Sequence, residues 1–225
     1  MKKICVIDYD SGNIKSVYNA LKKVLVGSKG SIVVSSKKED IREASNIVLP
    51  GVGTFKTCID GLKRKGILNI LEEKVFKSCD PFLGICVGMQ MLSTKSFENG
   101  NHAGLNWIPG KVKKISQVNR SLKIPHMGWN KLIIKRQDNF IKNLGRKVDF
   151  KKNFSAYFVH SYELILEDKK SLILSTEYGT EITAMIIKEN IIGTQFHPEK
   201  SHSFGLKFLE TFVETSWMNF YPAID

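Results

Sequence analysis

Three short stretches of this chain carry residue types that can do covalent chemistry. The sharpest is Gly84-Ile85-Cys86-Val87-Gly88, a nucleophile elbow of Gly-x-nucleophile-x-Gly form with cysteine at its centre. A tight strand-to-helix turn forces the central residue into strained backbone angles, and flanking glycines remove side chains that would clash there. The thiol then stands above the sheet edge, facing the N–H groups that open the following helix. The second stretch is His197-Pro198-Glu199. Residues two apart on extended backbone face the same side, so His197 and Glu199 point toward one site. A cysteine nucleophile needs such a pair: His197 takes the thiol proton, and Glu199 fixes its tautomer and offsets the imidazolium charge. The third is Pro50-Gly51-Val52-Gly53, whose glycines let a backbone N–H turn toward the nucleophile as an oxyanion donor. Its spacing fits no phosphate-binding glycine pattern. Each stretch also has a plain reading: a buried cysteine in a βα turn, a structural histidine, a glycine-rich turn.

The elements that would position these residues alternate over the first hundred positions. Apolar and β-branched runs predict strands over Lys3–Tyr9, Ser31–Ser35, Asn46–Leu49 and Pro81–Cys86. Helical spacing predicts helices over Asn13–Val26 (through Ile14, Val17, Leu21 and Leu25), Glu39–Ala44, Phe55–Lys63, Leu68–Lys77 and Val87–Ser93. Near-continuous apolar strands between amphipathic helices mean a parallel sheet covered on both faces. After about residue 105 the pattern changes to strands with short connections: Lys111–Ser116, Asn130–Lys135, Ala156–Leu166, Leu172–Glu177, Thr183–Lys188 and Ile191–Phe196. Phe204–Thr215 closes as an amphipathic helix. The fold class expected is α/β, a mostly parallel central sheet between helices with a late antiparallel section. No linker or repeat divides it, so residues 1–225 read as one domain.

Composition narrows the function. The 225 residues are 42% hydrophobic and 25% charged, which excludes collagen-like and disordered classes. No apolar run approaches the ~20 residues of a membrane span, and the N-terminus reaches Asp8 too soon for a signal peptide. The reading is a soluble, cytoplasmic protein with no membrane partner. The charge is 34 Lys+Arg minus 22 Asp+Glu, or +12, yet the lysines are scattered in ones and twos. Without basic–aromatic interleaving or finger spacing, nucleic acid is not expected as a partner. Cys5, Cys58, Cys79 and Cys86 form no Cys-x-x-Cys pair, which argues against zinc and for free thiols.

With Gly-Ile-Cys-Val-Gly-Met-Gln, Pro-Gly-Val-Gly and Gln-Phe-His-Pro-Glu-Lys-Ser, the chain resembles the class I, triad-type glutamine amidotransferases. It is more similar still to those that serve as glutaminase subunits of bacterial imidazole glycerol phosphate synthases. The segments that carry this closer likeness are Asp8-Tyr9 with Gly12-Asn13-Ile14 and Ser16-Val17, Pro125-His126-Met127-Gly128-Trp129-Asn130, and Tyr157-Phe158-Val159-His160-Ser161-Tyr162. The resemblance runs from Ile4 to about Phe212. It implies Cys86 as nucleophile, His197 as base and then acid, and Glu199 as orienter. It implies glutamine binding by Gly53, Gln90, His160, Ser161 and Tyr162, with Gly51, Val52 and Gly53 as the oxyanion strand and the Val52 N–H as donor. Asn13, Trp129, Tyr157 and Lys200 would line the interface with a (β/α)8 barrel cyclase subunit, forming a heterodimer that channels ammonia in histidine biosynthesis. No cofactor or metal is implied. Three positions depart from the family pattern: Asp10 and Asn106 where glycine is usual, and Val87 where leucine is commoner. Asn106 can keep the turn, since asparagine tolerates positive φ. Asp10 and Asn106 leave open a paralogous glutaminase that supplies ammonia for surface-polysaccharide sugar amidation. A non-catalytic binding protein on the same fold is a further alternative, and a Cys peptidase or γ-glutamyl hydrolase, disfavoured by the partner-type segments, is a third.

Overall fold

The computed structural model describes residues 2–10, 12–27, 30–117, 122–152 and 154–215. The first hundred positions follow the predicted alternation: β1 (Lys3–Ile7), α1 (Ile14–Val24), β2 (Ser31–Ser35), α2 (Lys38–Glu43), β3 (Asn46–Gly51), α3 (Phe55–Lys65), α4 (Leu68–Glu72, running into a wider π turn at Glu73–Lys77), β4 (Phe82–Cys86) and α5 (Val87–Gln90). Next come β5 (Ser93–Ser96), β6 (His102–Ala103), β7 (Ile108–Lys114), β8 (His126–Lys131), β9 (Ile133–Ile134), α6 (Asn139–Gly145), β10 (Ser155–His160), β11 (Tyr162–Leu166), β12 (Leu172–Tyr178), β13 (Thr180–Lys188), β14 (Ile191–Thr194) and α7 (His202–Glu214).

The central sheet has eight strands in the order β2-β1-β3-β4-β14-β13-β12-β9. The first five run parallel, and β13, β12 and β9 are antiparallel to their neighbours. Every residue of β3, β4 and β14 is buried. Since successive side chains alternate faces, both faces of the sheet are covered, as the apolar runs predict. One buried apolar cluster spans from Ile4 to Val213, with α1 packed on α7 and α3 on α5. A four-stranded sheet, β11-β7-β5-β6, and a two-stranded one, β10-β8, flank it. The parallel register decides where chemistry can occur. Gly51 pairs with Cys86 and Thr194 with Ile85, so the carboxyl ends of β3, β4 and β14 lie side by side. In open α/β sheets the ligand crevice lies beyond those ends.

Several expectations need correction. The helix expected over Val87–Ser93 is one turn, Val87–Gln90, because Ser93–Ser96 leaves it to pair with β7 as β5. The strand expected over Ala156–Leu166 breaks at Ser161 into β10 and β11, which join different sheets. Asn130–Lys135 likewise divides: β8 starts earlier, at His126, and pairs with β10, whereas β9 pairs with β12. An alternating pattern shows faces but not a change of partner. Helix α6 was not expected, although Asp138 caps it, accepting from the Ile141 N–H at 2.8 Å. The two departures from glycine keep the glycine conformation: φ is +66° at Asp10 and +59° at Asn106. Asparagine and aspartate are the non-glycine residues that best tolerate that region.

Candidate active site

Cys86 ends β4 with φ +55° and ψ −110°, the strained turn that the flanking glycines predict. The packing behind it leaves no room for side chains. A Cβ on Gly51 would sit 2.8 Å from the Val87 carbonyl carbon, and one on Gly88 would overlap the Leu49 carbonyl oxygen. Cys86 is 3% exposed and borders a cleft of about 240 Å³ with Val52, Gly53, Gln90, Val159, His160, Ser161 and Tyr162. The structure thus brings together the expected nucleophile, glutamine-binding residues and most of the oxyanion strand. Gly51 is the exception: it lies behind the cleft wall against Gly88, a packing position. Tyr9 Oη fastens the strand by donating to the Pro50 carbonyl at 2.5 Å, and Cys58 Sγ donates to the Val52 carbonyl at 3.6 Å.

His197 follows β14 and is tied to β10, its N–H donating to the Tyr157 carbonyl at 2.9 Å. Its Nδ1 lies 2.8 Å from Glu199 Oε1, with both side chains 1% exposed. Nε2 is buried without a hydrogen-bond partner among the described residues. The apo geometry is therefore loose at the nucleophile, as catalytic contacts often are before substrate binds. Burial alone would push the ring toward neutrality, but the Cys86 sulfur and then Glu199 outweigh it and raise His197 from 6.5 to about 10. An imidazole whose charged form is favoured in this way, with a carboxylate on Nδ1 and a sulfur nearby, is suited to hold a thiol proton.

Two side chains of the site were not singled out in the sequence. Gln195, fully buried, donates from Nε2 to Cys86 Sγ at 3.6 Å and accepts from Gln90 Nε2 at 3.0 Å. The same-face spacing that links His197 with Glu199 also reaches back to Gln195. It supplies an N–H beside the sulfur that the one-turn α5, with its small dipole, cannot match. Glu98 also borders the cleft, its Oε2 accepting from the Phe55 N–H at 2.6 Å. Gln90 donates to the Tyr162 carbonyl at 2.8 Å.

The four residues expected at a partner interface lie together behind the histidine–glutamate pair. Asn13 stands at the cap position of α1 but makes no cap; its Nδ2 donates to Glu199 Oε1 at 3.3 Å. Trp129 is 47% exposed and stacks on His202 with ring centroids 5.0 Å apart. Tyr157 meets Trp129 edge-on at 6.2 Å, and Lys200 Nζ lies 6.0 Å from the Tyr157 ring centre. Met127, 61% exposed on the same strand as Trp129, adds apolar surface.

Comparison with known proteins places this geometry. The family model described as glutamine amidotransferase class-I matches residues 5–215. The imidazole glycerol phosphate synthase subunit HisH of Pelagibacter ubique is 42% identical over 211 residues, covering 93% of this chain and 98% of that protein. The protein of the same name from Zymomonas mobilis is 41% identical over 212 residues, covering 94% and 95%. A solved structure described as PurLQS from Thermotoga maritima superposes with a TM-score of 0.68 at 21% identity, over 94% of this chain and 97% of that one. That last likeness concerns the fold.

Proposed function

Because the chain belongs to the class I glutamine amidotransferases, we propose that it is the glutaminase subunit of an imidazole glycerol phosphate synthase, acting as one domain in the cytoplasm. The observation that carries the reading is Cys86 on the cleft with the Glu199-paired His197 close enough to feel its sulfur, in a chain 42% identical to such a subunit over 93% of its length.

The chemistry derives from the geometry. His197 holds the thiol proton, and the Cys86 thiolate attacks the side-chain amide carbon of glutamine. The carbonyl electrons move onto oxygen, where the Val52 N–H is the donor this strand can offer. Collapse expels the amine, which takes its proton from His197 and leaves as ammonia, and a γ-glutamyl thioester remains on Cys86. Water then gives a proton to His197 and attacks the thioester. Glutamate departs and the thiol is restored. Glu199 keeps the imidazole in the productive tautomer throughout. Gly53, Gln90, His160, Ser161 and Tyr162 hold the substrate, and ammonia passes to a (β/α)8 cyclase subunit docked over Asn13, Trp129, Tyr157 and Lys200.

The sugar-amidation alternative rests on Asp10 and Asn106, and their left-handed backbones account for both substitutions without a change of partner. Asp10 also pairs with Lys65 of α3 at 2.8 Å, an intramolecular use of its charge.

The test is glutamate release with and without a purified cyclase barrel and its nucleotide ligand. The isolated chain should be nearly silent, and activity should rise by at least about 10²-fold in the liganded complex, the worth of one oxyanion donor turned inward. Lys200→Ala and Tyr157→Ala should weaken that rise more than they weaken glutamine binding. Full activity of the chain alone refutes the gating, and no response to the cyclase refutes the pairing.

A further inference from the structure

From His160 on the pocket wall a chain of side chains runs back to β8, and its two far members, His126 and Asn130, are not used by the mechanism. It begins at Asn130 on β8, whose amide is fixed by two backbone groups of opposite kind. Oδ1 accepts from the Lys131 N–H at 2.8 Å, and Nδ2 donates to the Glu177 carbonyl at 2.8 Å. A backbone N–H only donates and a carbonyl only accepts, so this amide cannot be turned over. Its second Nδ2 hydrogen meets His126 Nε2 at 3.2 Å, which makes that nitrogen the unprotonated one. His126 therefore carries its hydrogen on Nδ1, 3.0 Å from His160 Nε2. His160 in turn carries its hydrogen on Nδ1, 2.9 Å from the Tyr162 carbonyl, an obligate acceptor that closes the far end. Donor and acceptor roles run one way from end to end.

Two features keep the chain in place. The His126 ring is stacked between Phe158 and Tyr178, with centroids 4.7 and 4.0 Å away, so it cannot rotate out of line. Burial also keeps both imidazoles neutral, drawing His126 down to about 4 and, with help from His126 and His197, His160 to about 3. At the pocket end, the Tyr162 carbonyl accepts from Gln90 Nε2 as well, and the other hydrogen of Gln90 goes to Gln195. Gln90 Oε1 is the atom left to face the cleft.

We propose that Asn130 and His126 are positioning residues for the glutaminase reaction: by imposing the Nδ1–H tautomer on His160 they hold the Ser161–Tyr162 segment, and through it the Gln90 carbonyl, in the orientation that receives glutamine. The role rests on the reading of this cleft as the glutamine site. A histidine at position 126 that merely filled space would need its ring; one that sets a tautomer needs its donor.

The experiment separates these with three variants of the full chain, each assembled with the purified cyclase barrel and its nucleotide ligand, labelled at Cys86 by diazo-oxo-norleucine, a diazoketone analogue of glutamine, and followed by intact mass to give KI and kinact separately. His126→Phe keeps a stacking ring but no donor, Asn130→Asp turns the first donor into an acceptor, and His126→Asn places an amide N–H near the lost Nδ1–H. KI should rise about tenfold in His126→Phe and Asn130→Asp, as expected when a buried carbonyl loses a donor, with kinact changed by less than about twofold. His126→Asn should stay near the parent. Long-range proton–nitrogen correlation should show Nδ1–H on both histidines in the parent and a proton on His126 Nε2 in Asn130→Asp. Should His126→Phe fail to fold, Asn130→Asp carries the test. The proposal is overturned if His126→Phe keeps the parental KI while His126→Asn loses it, or if His160 carries its proton on Nε2. A parent that the diazoketone does not label overturns the glutamine-site reading itself, with the tautomer spectrum unaffected.

Discussion

Glu199→Gln changes one charge at constant size, in surroundings that leave the new amide no satisfactory orientation. Glu199 Oε1 takes the His197 Nδ1 hydrogen at 2.8 Å and a hydrogen from Asn13 Nδ2 at 3.3 Å, while Oε2 is buried with no partner among the described residues. If the new amide keeps its oxygen toward His197, the NH₂ group is buried with no acceptor. If it flips, NH₂ meets the Asn13 donor and drives His197 into the tautomer whose Nε2 already carries hydrogen, so it cannot act as base. In both cases the imidazolium loses its counter-charge. Opposite charges about 4 Å apart at an effective dielectric of about 20 attract by about 4 kcal/mol, or roughly 10³ in rate. Turnover should fall by about that factor, and toward 10⁴ where the wrong tautomer prevails. Glutamine affinity should change far less, because Glu199 does not border the cleft. The pH behaviour gives a second reading. His197 is raised from 6.5 to about 10, so its stabilisation is complete below the unfolded value and lost as pH rises through about 10. Glu199→Gln should lower the His197 pKa, so that this loss begins at lower pH. Glutamate release in the assembled complex and imidazole titration by NMR measure the two effects. A turnover within about twofold of the parent, far from the loss expected when the orienting carboxylate goes, would make Glu199 a structural neighbour only.

Cys86→Ala should abolish glutamate release while leaving the melting curve intact, whereas Cys5→Ala, Cys58→Ala and Cys79→Ala retain activity; release surviving in Cys86→Ala excludes it as nucleophile. Gly205→Ala should destabilise the fold by about 1–3 kcal/mol through overpacking, read as a lower urea midpoint. A Cβ there would press on the backbone of Pro198, within 2.7 Å of its carbonyl carbon, so turnover should fall as the Glu199 turn is displaced. An unchanged midpoint would mean that α7 slides freely on that turn.

Cys86, His197 and Glu199 were legible in the sequence because their motifs are local: a few neighbours dictate both the backbone turn and the chemistry. The parallel half of the fold was legible for the same reason, since buried strands alternate with amphipathic helices and Ser31–Ser35 matches β2 residue for residue. What escaped depends on which strand meets which. His126 and His160 stand opposite one another only because β8 pairs with β10, a partnership 34 residues apart that no periodicity encodes. Glu98 reaches the cleft because Ser93–Ser96 leaves the one-turn α5 for β7, where a longer helix was expected. Gln195 was within reach of the same-face argument that joins His197 to Glu199, since it stands one step back along the same extended chain.

The contact of Gly51 with the turn at Val87–Gly88 has a consequence for regulation. The room for even one Cβ at Gly51 is taken up by the Val87–Gly88 backbone, so the proposed oxyanion strand has little space to slide toward the nucleophile. Rotation of a peptide remains, and Gly53, at φ +104° with open space where a Cβ would be, is built to absorb it. Under the proposed gating, a control element of this kind would work as a latch, in or out by rotation of one peptide. A half-stimulated preparation should then be a mixture of fully competent and idle molecules exchanging in time, so that a weak effector alters the fraction engaged and leaves the turnover of each engaged molecule unchanged.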